Sequence, residues 1–298
     1  MAVATPTTRF ARRQARRLLT DLRREFALAA DAPSPDAVHD LRVAIRRFRQ
    51  ALIVFRAAFP ARQCRKIHKK LKQVMHRAGE VRNCDIAAIL IPKLDARIAP
   101  QLRPHLQKDR ETAEGKLTQT LRRLSDRKLP AKWRARLGLN RATATNGSAR
   151  RALSPATHRR VAEMATEFLN LGEKAMDPKT SADDIHRFRI ASKKFRYTLE
   201  LVEPSYGAEL TPWLERVKAV QSVLGDANDC ETVRRMASKW GAPDDLIAKL
   251  DKRQNRKVKK FRREWDGEPG AGVIPVVAPV KPAAKANPVR RGNARSAA

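Results

Sequence analysis

His39, Arg42, Arg46 and Arg49 fall three, four and three residues apart in VHDLRVAIRRFRQAL (38–52), and His186, Arg189, Lys193 and Arg196 keep the same spacing in IHRFRIASKKFRYTL (185–199). Side chains at that spacing share one helix face. The chemistry open to such a set is anion capture. Arg forks onto two oxygens, Lys supplies a mobile point charge, and a His among cations loses proton affinity until an anion restores it. A merely solvated face usually interleaves acids at i,i+4, and this sector holds none over about three turns in either copy. For each histidine, a capping or packing role near its helix start stays open beside phosphate donation.

The helices that carry these residues are amphipathic. At about 100° per residue, Leu41, Ile45, Phe48, Leu52, Phe55 and Phe59 lie within about 40° of one line, and the cationic sector is centred about 120° away. The second copy divides the same way. Phe188, Phe195, Leu199 and Val202 form its core stripe, and the cations are expected to face out together.

An offset of 147 superposes the two stretches and also aligns Arg47 with Lys194, Arg12 with Arg159 and Arg13 with Arg160. At 146, Lys72 meets Lys218 and GEVRNCD (79–85) meets GDANDCE (225–231). A unit this long points to a duplicated helical bundle. Helices are expected near 7–30, 36–58, 61–78, 83–98 and 101–127, then near 155–176, 182–203, 209–224, 229–240 and 243–265. Domain boundaries follow: a helical region 7–265 with a first half at about 7–137, a polar linker 138–153 and a second half 154–265. A basic, Pro/Ala-rich tail, 266–298, has the composition of a disordered segment.

Bulk composition points to the same partner class. Lys and Arg total 64 against 31 acids, a net charge of +33. Self-repulsion of that size is relieved by a polyanion. The three cysteines form no CxxC pair and suggest reduced, intracellular thiols. No apolar run reaches the ~18–20 residues of a membrane span. The Arg-rich N-terminus has no secretory apolar segment, and its pattern continues into a helix, so a cytoplasmic location and no membrane partner are expected.

Further basic residues are weaker candidates. Arg65, Lys69, Lys72 and His76 share a face, but only Lys72 has a basic counterpart in the second copy. Arg12, Arg13, Arg159, Arg160, Arg253 and Arg256 are plausible contributors with ordinary surface charge as the competing role.

The motif G-[ED]-x-x-[ND]-C-[DE] admits a catalytic reading, with Glu80, Asp85, Asp226 and Glu231 holding Mg²⁺ for phosphoryl transfer. The stronger expectation is structural. Gly79 and Gly225 read as helix stops, and Asn83 and Asp229 read as N-caps of the next helices. Cys84 and Cys230 read as small buried apolar residues. No P-loop, HExxH, zinc-binding cysteine set or Ser-His-Asp order is present, so neither an enzyme nor a cofactor is expected.

With VHDLRVAIRRFRQAL, IHRFRIASKKFRYTLEL, GEVRNCD and LGDANDCE in view, residues 7–265 resemble the CHAD family, the conserved histidine α-helical domain. The resemblance implies an all-α fold of two pseudo-symmetric four-helix bundles. It also implies binding of inorganic polyphosphate on a basic surface or in a cleft between the bundles, with association to polyphosphate granules. Carried over by position, the ligand residues are His39, Arg42, Arg46, Arg49 and Lys72, with His186, Arg189, Lys193, Arg196 and Lys218. Two departures imply unequal halves: Glu203 stands opposite Arg56, and Arg65, His68 and His76 lack counterparts. No ExExK motif appears, so triphosphate hydrolysis is not implied. The competing functions are a non-specific nucleic-acid binder, since RNA or DNA affinity at low salt follows from charge alone, and a polyphosphate-metabolising enzyme. Aromatic residues make up 5% of the chain and none punctuates the basic sectors, which disfavours base stacking. Oligomeric state is not legible.

Overall fold

The computed structural model describes residues 6–140 and 153–265, and every regular element among them is helical. Most of the expected linker and the whole expected tail lie outside the described residues. The order is α1 (Pro6–Asp31), α2 (Pro35–Val54), α3 (Ala61–Leu94), α4 (Ala99–Asp126), α5 (Leu129–Arg136), α6 (Pro155–Met176), α7 (Ala182–Tyr206), α8 (Thr211–Lys239) and α9 (Asp244–Glu264). Short 3₁₀ turns, Arg56–Ala58 and Gly207–Leu210, follow α2 and α7 respectively.

The helices that matter for function begin alike. Ser34, Ser154 and Ser181 have extended backbones, and each side chain accepts the backbone N–H three residues on, from Ala37, Thr157 and Asp184. A serine cap satisfies one of the orphan donors of a helix start and is worth about 1 kcal/mol. α2 and α7 are therefore started in the same register relative to their histidines.

The expected breaks after Gly79 and Gly225 do not occur. Segments 61–78 and 83–98 join in the 34-residue α3, and 209–224 and 229–240 join in the 29-residue α8. Asn83 and Asp229 are thus mid-helix, not N-caps. A helical glycine costs only about 1 kcal/mol against Ala, and the apolar rows on both sides of each glycine outweigh it. α5 forms in a stretch with no expected helix and buries Trp133.

α1 to α4 close into a bundle, with α4 returning to α1, and α6 to α9 pack in succession, each helix on the next. One hydrophobic core runs through both sets. Phe48, Phe55, Phe168, Phe188 and Phe195 are fully buried within it. A second, smaller core interlocks the far ends of α3 and α4 with those of α8 and α9 through Leu90, Ile91, Leu102, Val233, Trp240 and Leu250. Two contacts between the bundles therefore hold α2 and α7 at a fixed mutual position. No described helix is long and apolar enough to cross a membrane.

The second bundle is locked by Trp265, which follows α9 and meets Phe168 and Phe188 edge-on at centroid distances of 5.5 and 5.2 Å. Gly172 on α6 makes room for this ring, and a methyl group there would overlap it. Gly172→Ala is expected to lower the urea midpoint. The overpacking cost, about 1–3 kcal/mol, exceeds the ~1 kcal/mol that Ala gains over Gly in a helix. Trp265 should become more exposed, which a fluorescence red shift would report.

Candidate anion-binding cleft

At the crossing of α2 and α7, Gln50 Nε2 donates to Thr198 Oγ1 at 2.8 Å, and both side chains are buried. Arg47 reaches Glu200 at 3.2 Å on the same seam. Above it opens a cleft of about 610 Å³ walled by four helices. α2 contributes His39, Arg42, Arg46, Arg49 and Ile53, and α7 contributes Arg189, Ile190, Lys193, Lys194 and Tyr197. α3 supplies Met75, Arg82, Asn83 and Ile86, and α8 supplies Gly225, Asn228 and Asp229.

Seven of these lining residues are Arg or Lys, and Asp229 is the single carboxylate. Among the described residues, Arg42, Arg46, Arg82, Arg189 and Lys193 form no ion pair with a carboxylate. Burial and repulsion from neighbouring cations then lower the proton affinity of Arg42, Arg189 and Lys193. Lys193 is pushed down to about 7, first by burial and then by Arg189, Arg46 and Arg42. Burial, followed by Arg46, Arg82 and Arg189, brings Arg42 down to about 10. His39 is lowered by partial burial and then by Arg82, and His186 by partial burial and then by Arg189. Burial raises Asp229, against the opposing pull of Lys193 and Arg189.

Preorganisation comes from the backbone of α3. Arg42 Nη1 donates to the Met75 carbonyl at 3.2 Å. A Cβ at Gly79 would lie 3.0 Å from that same nitrogen, so the glycine permits the approach. The Nε atoms of Arg49 and Arg189 are buried donors without a hydrogen-bond partner. Buried cations and donors left unmatched are costly, and an incoming anion with several oxygens recovers that cost.

His39, Arg42, Arg46, Arg49, Arg189 and Lys193 meet in the cleft, as the shared helix faces anticipate. They do not simply face outward: Arg42, Arg46, Arg49, Arg189 and Lys193 are half-buried between helices. His186 instead lines an adjoining cavity that shares Arg189 and Asn228 with the cleft. Arg196 does not line the cleft. It is held 3.4 Å from Glu200 and lies 4.7 Å from the centre of the Tyr197 ring.

Lys72 and Lys218 are exposed and do not line the cleft. None of the weaker candidates lines it either. Arg13, Arg65, Lys69, Arg159 and Arg256 are exposed, His76 sits 3.6 Å from Glu80, and Arg160 pairs with Glu163 at 2.9 Å. Arg12 approaches Gly138, and Arg253 is half-buried on α9.

Arg82, Lys194, Asn83, Asn228 and Asp229 are cleft residues that sequence reasoning passed over. Arg82 follows Met75 by seven residues, two turns of a helix read as continuous across Gly79. Tyr197 is an aromatic residue inside the basic sector, contrary to expectation. It is only 3% exposed, too covered to offer a face for base stacking.

The acids of the repeated motif are already engaged. Glu80 pairs with Arg77, Asp85 with Arg110, Asp226 with Lys257, and Glu231 with Arg234 and Arg235. Among the described residues, no group of three or more His, Cys, Asp or Glu side chains is placed to hold a metal ion. Cys84 and Cys230 are buried and free of disulfides.

The family model described as "CHAD domain" matches residues 13–238. A solved structure titled "Crystal structure of the CHAD domain from the plant Ricinus communis" is similar at a TM-score of 0.61 and 21% identity, covering 88% of each chain. Another, "PptA from Streptomyces chartreusis", is similar at a TM-score of 0.61 and 16% identity, covering 87% of this chain and 97% of that one. No curated protein matches.

Proposed function

The chain belongs to the CHAD family, and on that premise we propose that it is a non-enzymatic binding module for inorganic polyphosphate, held in the cleft between α2 and α7. One observation carries the proposal: seven Arg and Lys side chains from four helices converge on a cleft with a single carboxylate. A flexible chain with a charge on every unit can satisfy several of these donors at once. The energy comes from charge-assisted hydrogen bonds and counterion release, so affinity falls steeply with salt. With His186 on the adjoining cavity, the chain would enter past His39 and leave past Arg189. Attachment to polyphosphate granules is the cellular role this binding would serve.

Nucleic acid is the second reading, and the cleft disfavours it. Recognition of single strands relies on aromatic platforms, and Tyr197, the one Phe, Tyr or Trp in the cleft lining, is covered. Competition at physiological salt tests the two directly, with long-chain polyphosphate set against RNA and double-stranded DNA at matched charge. Polyphosphate is expected to displace both. Displacement of bound polyphosphate by RNA or DNA would overturn the assignment, and phosphate release in the presence of Mg²⁺ or Mn²⁺ would overturn the non-enzymatic part of it.

A further inference from the structure

The cavity beside the cleft has a different character from the cleft itself. It holds about 530 Å³ between α7, α8 and α9, within the range of small-molecule sites. Ile185, Leu224, Ala227 and Val258 give it apolar walls, and Asn228, Gln254 and Asn255 bring three carboxamides. Its positive charge is partly balanced: Glu231 holds Arg235 at 2.9 Å, and the Arg262 guanidinium is oriented by the Ala175 carbonyl at 3.3 Å. Asp183 and Glu231 add negative charge to the lining. Bare phosphate has no use for aliphatic walls and gains little from such a charge balance.

The two hollows adjoin, with Arg189 and Asn228 lining both. They adjoin where the two copies of the repeat differ. Arg82 of the first copy stands opposite the shorter Asn228 of the second. In the first copy Arg42 also folds against α3 beneath Gly79, whereas a Cβ built at Gly225 meets nothing within 4 Å. One copy fills the space with guanidinium groups and the other keeps it open.

We propose that cavity and cleft together take a nucleoside 5′-polyphosphate, with the nucleoside in the cavity and the phosphate chain running over Arg189 into the cleft. Aliphatic side chains suit the faces of a base, and carboxamides pair with its edge as donor and acceptor together. This rests on the phosphate-binding function proposed above and adds a second ligand class to it.

Equilibrium titration without Mg²⁺, at physiological ionic strength, compares ATP, GTP, CTP and UTP with inorganic tripolyphosphate. Tripolyphosphate carries more charge per molecule, so a purely electrostatic site binds it at least as tightly. At least one nucleotide is expected to bind about tenfold tighter than tripolyphosphate, equivalent to about 1.4 kcal/mol. Gln254→Ala with Asn255→Ala should abolish that preference and leave tripolyphosphate affinity unchanged. Both residues lie on the outer part of α9, and alanine keeps its helix. Tripolyphosphate binding as tightly as all four nucleotides overturns the proposal while leaving the polyphosphate function standing, as does a preference that survives the double substitution. Failure of tripolyphosphate and long-chain polyphosphate alike to bind would sink both.

Discussion

Arg46→Ala combined with Arg189→Ala is expected to weaken long-chain polyphosphate binding by about two to four orders of magnitude without loss of helicity. A hydrogen bond to a charged group is worth about 1.5–3 kcal/mol, so two such bonds come to about 3–6 kcal/mol, at about 1.4 kcal/mol per decade. Neither arginine has a carboxylate partner, and each lowers the proton affinity of Lys193 by repulsion. Truncating them therefore relieves the free protein. The slope of log affinity against log salt should also fall, by about 0.7 for each phosphate no longer neutralised. Lys72→Ala with Lys218→Ala removes the same charge from a repeat-matched pair that lies outside the cleft. Exposed and well screened, that pair should alter affinity by less than about threefold. Isothermal titration at two salt concentrations measures all of this, and the opposite ranking would move the site to the exposed faces.

That contrast marks how far the sequence could be read. Periodicity was enough to predict an all-helical chain and to put Arg42 with Arg46 on one helix face and Arg189 with Lys193 on another, while the meeting of the two faces was only what the family resemblance implied. A helical wheel, however, orders residues around their own axis and does not say which helix lies opposite. Nor does it say how far along an axis a cleft extends: Lys72 and Lys218, matched in the repeat, share a helix face with Asn83 and Asp229 respectively but lie about three turns earlier and are not among the lining residues. Arg49 and Arg196 also match, but only Arg49 lines it. The cause is visible in hindsight four residues on, where Ile53 of one copy is replaced by Glu200, which ties up Arg196 and Arg47.

The glycines misled for a related reason. Gly79 reads as a stop when backbone freedom is considered alone. In the folded chain its service is steric, since it lets the Arg42 guanidinium lie on the α3 backbone. Reading α3 as unbroken would have placed Arg82 on the Met75 face and added it to the site. The carboxylate of Asp229 was hidden in the same way, behind an expected capping role.

Lys193 should make stability and affinity respond to pH in opposite directions. Its folded-state value is about 7 against an ordinary 10.5. Between these values the unfolded chain binds more protons than the free folded protein, so stability rises as pH increases from about 7 towards 10.5. The lowered histidines extend the trend below 6.5, where falling pH charges them more readily in the unfolded chain. A phosphate beside Lys193 favours its charged form and restores its proton affinity. Binding then takes up a proton above pH 7, and affinity declines with pH, by up to about tenfold per unit. Lys193→Met removes a desolvated, unpaired charge, so at pH 7 and below the free protein should gain thermal stability while polyphosphate affinity drops. Lys193→Arg keeps the charge across the same range and should retain affinity with a flatter pH profile. Thermal melts and binding titrations from pH 6 to 9 give both readouts. Affinity that climbs from pH 7 to 9, or a Lys193→Met protein that melts earlier at neutral pH, would show that the buried cations are not held in reserve for an anion.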